Sequence, residues 1–125
     1  MQRQTLQRTA IETVFAEAGR PLAPREILAG AQRRVPSLNL ATVYRTLKRL
    51  VADRTIAPVT LPGETPRYEL RAAADRHHHH FRCDRCDSVF DLEGCVTGLE
   101  RLLPEGFRMT DHDIVLYGLC SACRA

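Results

Sequence analysis

The sequence predicts an α+β fold, in which helices and a hairpin come first and a small α/β unit of short strands follows. Three observations lead to this prediction. The first half of the chain carries apolar residues at helical spacing. The second half carries short apolar segments bounded by turns, together with two Cys-x-x-Cys pairs. A length of 125 residues suffices for one domain or two small ones.

Two amphipathic helices are expected at the start of the chain. The first covers residues 3–18 and ends at Gly19, and the second covers residues 24–34 with Pro24 in its first turn. Apolar side chains at helical spacing predict which residues face inward. They are Leu6, Ala10, Ile11, Val14, Phe15 and Ala18 in the first helix, and Ile27, Leu28 and Ala31 in the second.

The third segment has the clearest helical pattern. Asn39 is a good N-cap residue. An apolar stripe follows it, formed by Leu40, Val43, Tyr44, Leu47, Leu50 and Val51. Polar and basic residues occupy the other faces, namely Thr42, Arg45, Thr46, Lys48 and Arg49. A basic face is often merely solvated, but two short helices followed by a basic one is the helix-turn-helix order, in which the last helix enters the major groove.

A hairpin is expected after the third helix. Residues 55–61 and 67–70 read as strands on either side of a turn rich in Pro and Gly. A hairpin in this position makes residues 1–70 a winged helix-turn-helix domain, and we expect Arg67 to contact phosphate. Residues 71–76 lack apolar periodicity and are expected to form a hinge linker.

Charge is distributed unevenly along the chain. Residues 1–54 carry ten Arg and Lys against four Asp and Glu, a net +6, whereas residues 55–125 carry eight against eleven, a net −3. A basic half predicts a polyanionic partner such as nucleic acid. The sequence shows no apolar run near the ~18 residues that span a bilayer and no signal-peptide pattern at its start. We therefore expect a cytoplasmic protein without a membrane partner.

Four cysteines are arranged in two pairs. Cys83 and Cys86 form one pair, and Cys120 and Cys123 form the other. Two such turns direct four thiolates at one ion, which is the ligand set of a structural zinc site. Two disulfides are the alternative, but a chain with five cysteines and no secretory signal favours zinc.

Four consecutive histidines precede the first cysteine pair. In a strand, alternate residues face one side, so His78 and His80 would face one way and His77 and His79 the other. Each pair can supply two imidazoles to a different ion, which allows up to two further metal sites. Solvated surface polarity is the other interpretation.

The remaining segments predict a small α/β unit at residues 77–125. We expect strands at residues 81–83 and 89–92, a helix at residues 95–103 with inward Val96, Leu99, Leu102 and Leu103, and one or two strands within residues 107–119. A unit of about fifty residues buries little surface and needs further stabilisation. Zinc is one source, and a second copy of the chain pairing through residues 114–117 is another.

Four segments together carry a family resemblance: LATVYRTL at 40–47, YEL at 68–70, HHHHFRCDRC at 77–86 and LYG at 116–118. The chain resembles the ferric uptake regulator family of bacterial metal-responsive repressors. The resemblance implies a homodimer with N-terminal winged helices and a C-terminal α/β dimerisation domain. It also implies binding to AT-rich palindromic operator DNA when metal is loaded, and control of iron or zinc uptake genes.

The resemblance also implies roles for individual residues. The regulatory metal, Fe(II), Zn(II) or Mn(II), would be held by Glu69, His78, His80 and Asp91. An additional site would draw on His77, His79 and His112, with Cys95 or Glu93 near the remaining position. DNA would be contacted by Tyr44 and Arg45 in the groove, by Arg8 at the backbone or minor groove, and by Thr42, Lys48 and Arg49. All five histidines lie at or after position 77, so the DNA-binding domain supplies none.

Three other classes of function compete with this one. An enzyme is disfavoured because the sequence lacks His-Glu-x-x-His, a phosphate-binding glycine loop and Gly-x-Ser-x-Gly. A peroxide-sensing regulator of the same fold, with iron held by histidines, stays open because Asp91 occupies the regulatory position. A zinc-ribbon interaction module is the third alternative.

Overall fold

The structure is a computed structural model that describes residues 2–124, with side chains for residues 4–124. The chain divides into two compact units, one ending at Arg76 and one beginning at His77. The first unit contains α1 (Gln2–Ala18), α2 (Pro24–Ala31), α3 (Leu40–Ala52), β1 (Ile56–Val59), β2 (Arg67–Leu70) and α4 (Arg71–Ala74). The second contains β3 (His79–Cys83), β4 (Val89–Leu92), a 3₁₀ helix (Leu99–Leu102) and β5 (Val115–Gly118). The predicted α+β class is confirmed.

The core of the first unit forms where α1, α2 and α3 pack together. Its fully buried side chains are Ile11, Phe15, Ile27, Val43, Leu47 and Leu50. Leu6 and Ala18, predicted to face inward, are exposed, because the buried stretch of α1 runs only from Ala10 to Phe15. The predicted end of α2 was also too late, since residues 32–34 form hydrogen-bonded turns rather than helix.

The third helix begins as predicted. The Oδ1 atom of Asn39 accepts a hydrogen bond from the backbone N–H of Thr42 at 2.9 Å, which confirms the N-cap. Val43, Leu47 and Leu50 are buried at helical spacing. Tyr44 is 52% exposed, so its place on the predicted apolar stripe was wrong: it follows Val43 by about 100° around the helix and leaves the buried face.

The hairpin pairs β1 with β2 in antiparallel register, with Ile56 opposite Leu70. Leu22 and Tyr68 exchange backbone hydrogen bonds of 2.8 and 2.9 Å, which fasten the hairpin to the loop between α1 and α2. Arg67 does not present its side chain to solvent, contrary to the expected phosphate contact. It is buried, and its Nη1 atom donates to Glu64 Oε1 at 2.7 Å.

The segment expected to be a hinge linker contains helix α4. Alanine has the highest intrinsic helix propensity, and three alanines follow Arg71. Arg71 forms an ion pair with Asp75 one turn later, at 3.2 Å. Residues 71–76 therefore include one helical turn, which the absence of apolar periodicity did not indicate.

The second unit is a three-stranded sheet in the order β4-β3-β5. β3 pairs antiparallel with β4 and parallel with β5. The predicted helix at residues 95–103 was wrong in extent: only Leu99–Leu102 is helical, and Val96 and Leu102 are exposed. Gly98, inside the predicted helix, adopts a φ angle of +81°, which interrupts the segment. The predicted strand at 107–119 is reduced to Val115–Gly118.

No helix among residues 2–124 has the length and apolar character needed to cross a bilayer.

Candidate metal centres and nucleic-acid interface

The four paired cysteines meet at one end of the second sheet. Cys83 ends β3, and Gly118 pairs with it from β5, so the chain end carrying Cys120 and Cys123 returns beside the turn that holds Cys86. The four Sγ atoms lie within 4.8 Å of one another. All are free thiols, and the Cys86 and Cys120 sulfurs are 3.9 Å apart, too far for a disulfide.

Backbone amides make the sulfurs of this cluster unequal. The N–H groups of Cys86 and Cys120 donate to Cys83 Sγ at 3.5 and 3.4 Å, and they lower the pKa of Cys83 to about 6 against the opposing effect of burial. The neighbouring sulfur of Cys120, together with burial, raises the pKa of Cys123 to about 12. The metal-free cluster therefore gives up its first proton easily and retains its last. A divalent ion that binds all four sulfurs stabilises each of them as a thiolate. This is the chemistry of structural zinc.

One backbone conformation and one hydrogen bond shape the two turns that carry this cluster. Asp87 adopts φ +62°, a left-handed conformation that Asp tolerates, and closes the turn after Cys86. Arg85 Nη1 donates to the backbone oxygen of Cys123 at 2.9 Å, which ties the first cysteine turn to the second.

A second cluster lies on one face of β3. The β3–β4 register places His80 opposite Asp91, and His78 precedes His80 by one strand repeat. The Nε2 atoms of His78 and His80 lie 3.1 and 3.3 Å from Asp91 Oδ1. Within the described part of the chain, His80 Nε2 and Asp91 Oδ1 are buried without a hydrogen bond. Buried donor atoms that converge in this way fit a metal ion.

The charge state of His80 suits ligation. Burial lowers its pKa, and the nearby Asp91 carboxylate opposes the shift only in part. The ring is therefore neutral near pH 7, as a metal ligand must be. Two imidazoles and a carboxylate form a set that accommodates Fe(II), Mn(II) or Zn(II).

A third cluster lies on the opposite face of β3 and is centred on a sulfur. Cys95 Sγ is 3.4 Å from His77 Nε2, 3.2 Å from His79 Nε2 and 3.0 Å from His112 Nε2. Of the two residues that the sequence left open for this position, Cys95 belongs to the cluster and Glu93 does not. The donor set is therefore three imidazoles and one thiolate, which matches a tetrahedral zinc site.

His79 is the most enclosed member of this cluster, with 4% of its surface exposed. Burial lowers its pKa, followed by repulsion from His77 and His112. The backbone N–H of Ile114 donates to its Nδ1 atom at 3.2 Å. This second contact fixes the ring orientation, and the sequence pattern did not reveal it, because Ile114 acts through its backbone.

Glu69 lies in β2 of the first unit, and its side chain is 2% exposed. A carboxylate is rarely buried to this degree in a strand unless a partner balances its charge.

One face of the first unit has the properties of a nucleic-acid interface. Tyr44, Arg45, Lys48 and Arg49 are exposed along α3. Thr42 is half-buried, and its Oγ1 atom accepts a hydrogen bond from Arg45 Nη2 at 2.9 Å. Cationic and hydroxyl groups on one helix face are the groups that contact phosphates and base edges in a major groove.

The N-terminal part of α1 borders this face. Gln7 and Arg8 line a cavity of about 300 Å³ together with Thr42, Arg45 and Arg49. The Arg8 guanidinium is already paired, with Glu12 Oε1 at 2.9 Å and Asp53 Oδ2 at 3.3 Å. Arg8 therefore joins α1 to the end of α3. Sequence reasoning missed Gln7, although its polar side chain one residue before Arg8 was a usable signal.

Comparison with known proteins agrees with this geometry. The Ferric uptake regulator family matches residues 2–117. The zinc uptake regulation protein of Mycobacterium tuberculosis is 32% identical over 126 residues, which cover 98% of this chain and 95% of that protein. The ferric uptake regulation protein of Bacillus subtilis is 29% identical over 106 residues, or 82% and 71% of the two chains.

A solved structure of a zinc-bound manganese uptake regulator has a TM-score of 0.75 at 25% identity, covering 91% of this chain and 87% of that one. The family match spans both units and includes the cysteine turn, the histidine run and the third helix. The chain therefore belongs to the ferric uptake regulator family, whose members are metal-responsive transcriptional regulators.

Proposed function

We propose that the chain is a zinc-responsive repressor that acts as a homodimer in the cytoplasm, binds AT-rich palindromic operators and controls metal-uptake genes. The single observation that carries the choice of zinc is the position of Cys95, whose sulfur lies within 3.4 Å of three imidazole nitrogens. A soft thiolate beside imidazoles favours Zn(II) over Fe(II) and Mn(II). The similarity to a zinc uptake regulation protein supports the same choice.

The four paired cysteines hold a structural zinc ion in this proposal. Their sulfurs already converge, and a four-thiolate site leaves no open position for chemistry. Residues 77–124 form three short strands and one 3₁₀ helix, so the metal-binding free energy supplies part of the folding free energy of this unit.

The regulatory ion is held by His78, His80 and Asp91 of the second unit and by Glu69 of the first. The ion in this proposal favours one conformation of the chain. Metal and DNA then favour the same arrangement, and each raises the affinity of the other by an equal factor.

DNA binding is assigned to α3. Tyr44 and Arg45 face the base edges, with Thr42, Lys48 and Arg49 at the surrounding phosphates. Arg8 contributes at the backbone or minor groove, after exchanging its contacts with Glu12 and Asp53 for phosphate. The exposure of Tyr44, Arg45, Lys48 and Arg49 on one helix supports this role.

Dimerisation is assigned to the second unit. Large apolar side chains there are exposed in the single chain, at Leu102, Phe107, Leu116 and Tyr117. An exposed apolar set of this kind marks a protein–protein surface. The edge strand β5 carries Leu116 and Tyr117, so a second copy that pairs beside it contacts both.

The decisive experiment is fluorescence anisotropy on an AT-rich palindromic duplex. The chain would carry one zinc ion at the paired cysteines, and Zn(II), Fe(II) and Mn(II) would be titrated separately, without oxygen, at buffered free-metal levels. We expect low free zinc alone to switch on binding to the palindrome and not to a scrambled duplex of equal composition. Binding that is unchanged by any metal would contradict the proposal.

An iron-responsive regulator is the second candidate. The oxygen and nitrogen donors of His78, His80 and Asp91 favour it, as does the similarity to ferric uptake regulation proteins. In the same titration, this candidate requires that Fe(II) switches on binding to the palindrome. Zinc at the same free concentration must then give no preference for the palindrome over the scrambled duplex. Loss of DNA binding on oxidation of the iron-loaded chain would identify the peroxide-sensing variant.

A further inference from the structure

Cys95 differs from the other four cysteines in its surroundings. Those four belong to one cluster of sulfurs, whereas Cys95 has three imidazoles around it. It lies between β4 and the 3₁₀ helix, in a stretch where residues 93–97 are all exposed. A sulfur that lies on an exposed stretch and 3.2 Å from a ring nitrogen of buried His79 combines two properties: it is a strong metal ligand, and small solutes can reach its loop.

An oxygen ligand at this position would bind metal but would be inert to oxidants. A thiolate is a nucleophile, and its susceptibility to two-electron oxidation follows its thiolate character and its exposure. We propose that Cys95 is an oxidation site for hydroperoxides, and that its oxidation releases the ion held with His77, His79 and His112. This inference rests on the proposed function, because it treats the additional site as a metal site.

The reaction balances with hydrogen peroxide as the only oxidant. The Cys95 sulfur donates an electron pair to one peroxide oxygen, an S–O bond forms, and the O–O bond breaks. The second oxygen leaves as hydroxide and takes up a proton to become water. Cys95 is oxidised by two electrons to a sulfenic acid, and the peroxide is reduced by two electrons.

Oxidation changes the ligand set from three imidazoles and a thiolate to three imidazoles alone. A sulfenic acid is a poorer metal ligand than a thiolate, so the affinity of the site falls. The other four cysteines are engaged with one another, so none is placed to form an internal disulfide with Cys95. Two equivalents of a small thiol restore the site, giving the Cys95 thiol, one external disulfide and water.

The test compares the intact chain with Cys95→Glu, which replaces the thiolate by a carboxylate that can still coordinate zinc. Both are loaded with three zinc ions per chain, one for each cluster, and treated anaerobically with one equivalent of hydrogen peroxide. Released zinc is followed with a chromogenic chelator, and dimedone adducts are mapped by mass spectrometry. We expect the intact chain to release one of its three zinc ions and to carry the adduct on Cys95, whereas Cys95→Glu retains all three.

Two results would overturn the inference: equal zinc release from both chains, or an adduct that appears first on the paired cysteines. A DNA-binding titration of the reduced, zinc-loaded chain distinguishes failure of the oxidation site from failure of the proposed function. If zinc switches on operator binding but peroxide leaves Cys95 unmodified, only the oxidation site fails. If zinc leaves operator binding unchanged, the proposed function fails whatever the chemistry of Cys95.

Discussion

The Nε2 atom of His79 lies 3.2 Å from the sulfur of Cys95, although 16 positions separate the two residues in the sequence. The other ring nitrogen of His79 accepts a hydrogen bond from the Ile114 backbone N–H. In a neutral ring this leaves the proton on Nε2, where it donates to the Cys95 sulfur. A metal ion that binds at Nε2 shifts the proton of the neutral ring to Nδ1, which gives up the Ile114 contact, and Cys95 loses its thiol proton to become a ligand. Binding at this cluster therefore releases a proton and weakens in acid.

Replacing Cys95 by Ser should weaken zinc binding at the histidine cluster at least tenfold, about 1.4 kcal/mol, because a hydroxyl is a far poorer zinc ligand than a thiolate. Competition with a zinc chelator measures the affinity. Glu93→Gln is the matched control, since Glu93 lies outside the cluster and its loss should leave the affinity unchanged. Equal zinc affinity in Cys95→Ser and the intact chain would exclude Cys95 as a ligand.

Replacing Cys83 by Ser should lower the zinc content by one ion per chain and unfold the second unit. Cys83 is fully buried and accepts two backbone hydrogen bonds, so the loss affects both the ion and the turn. Zinc analysis and circular dichroism with thermal melting test this expectation. Cys95→Ser provides the comparison, and a Cys83→Ser chain that retains both its zinc and its melting temperature would contradict the four-cysteine site.

The stability of the chain without metal at the histidine clusters should fall as the pH decreases. Burial lowers the pKa values of His79 and His80, so these rings stay neutral in the folded chain while the unfolded chain takes up protons below about pH 6.5. The unfolded state then binds more protons, and the free energy of unfolding decreases through that range. Melting temperatures between about pH 7.5 and 5.5 measure the effect. His79→Gln should show a smaller decrease, and an identical decrease would argue against a buried neutral His79.

Replacing Arg45 by Ala should weaken operator binding by about tenfold or more, because a base-edge contact contributes about 1–3 kcal/mol. Arg45 is exposed on α3 and contacts only the neighbouring Thr42 among the hydrogen bonds described. Arg33→Ala is a matched control, since Arg33 is an exposed arginine beyond the end of α2. Fluorescence anisotropy at fixed salt gives both operator affinities. An equal loss of affinity in the two variants would mean that Arg45 contributes only through its positive charge.

Replacing Asn39 by Ala should destabilise the first unit by about 1 kcal/mol, because the Thr42 N–H loses its side-chain acceptor. Chemical denaturation measures the change in the free energy of unfolding. The exposed Ser37, in the loop before α3, gives a control variant, Ser37→Ala, with little expected effect. A change of the same size in both variants would mean that the cap does not anchor the helix.

Local chemistry made several features predictable from the sequence. The alternation of a strand separates His78 and His80 from His77 and His79, and the structure places the two pairs in different clusters. The Asn39 cap and the paired cysteines follow from equally local rules. Other features were not predictable: Val96 and Leu102 were expected to be inward, but Gly98, with a positive φ, interrupts their helix, and both side chains are exposed.

The choice between Cys95 and Glu93 as the fourth member of the histidine cluster was also not predictable from the sequence. The two residues are neighbours in one loop, and only the fold shows which of them reaches His112 from a different part of the chain. The contact from Ile114 to His79 is a backbone interaction, and no side-chain pattern encodes it.

The most direct test of a metal-responsive repressor is the reciprocity between its two ligands. Zinc affinity of the intact chain is measured by chelator competition with and without saturating operator duplex, and operator affinity is measured with and without saturating zinc. We predict that both affinities increase, and by the same factor, because the two effects share one coupling free energy. Zinc affinity that is equal with and without the operator would contradict the coupling of metal to DNA binding in this chain.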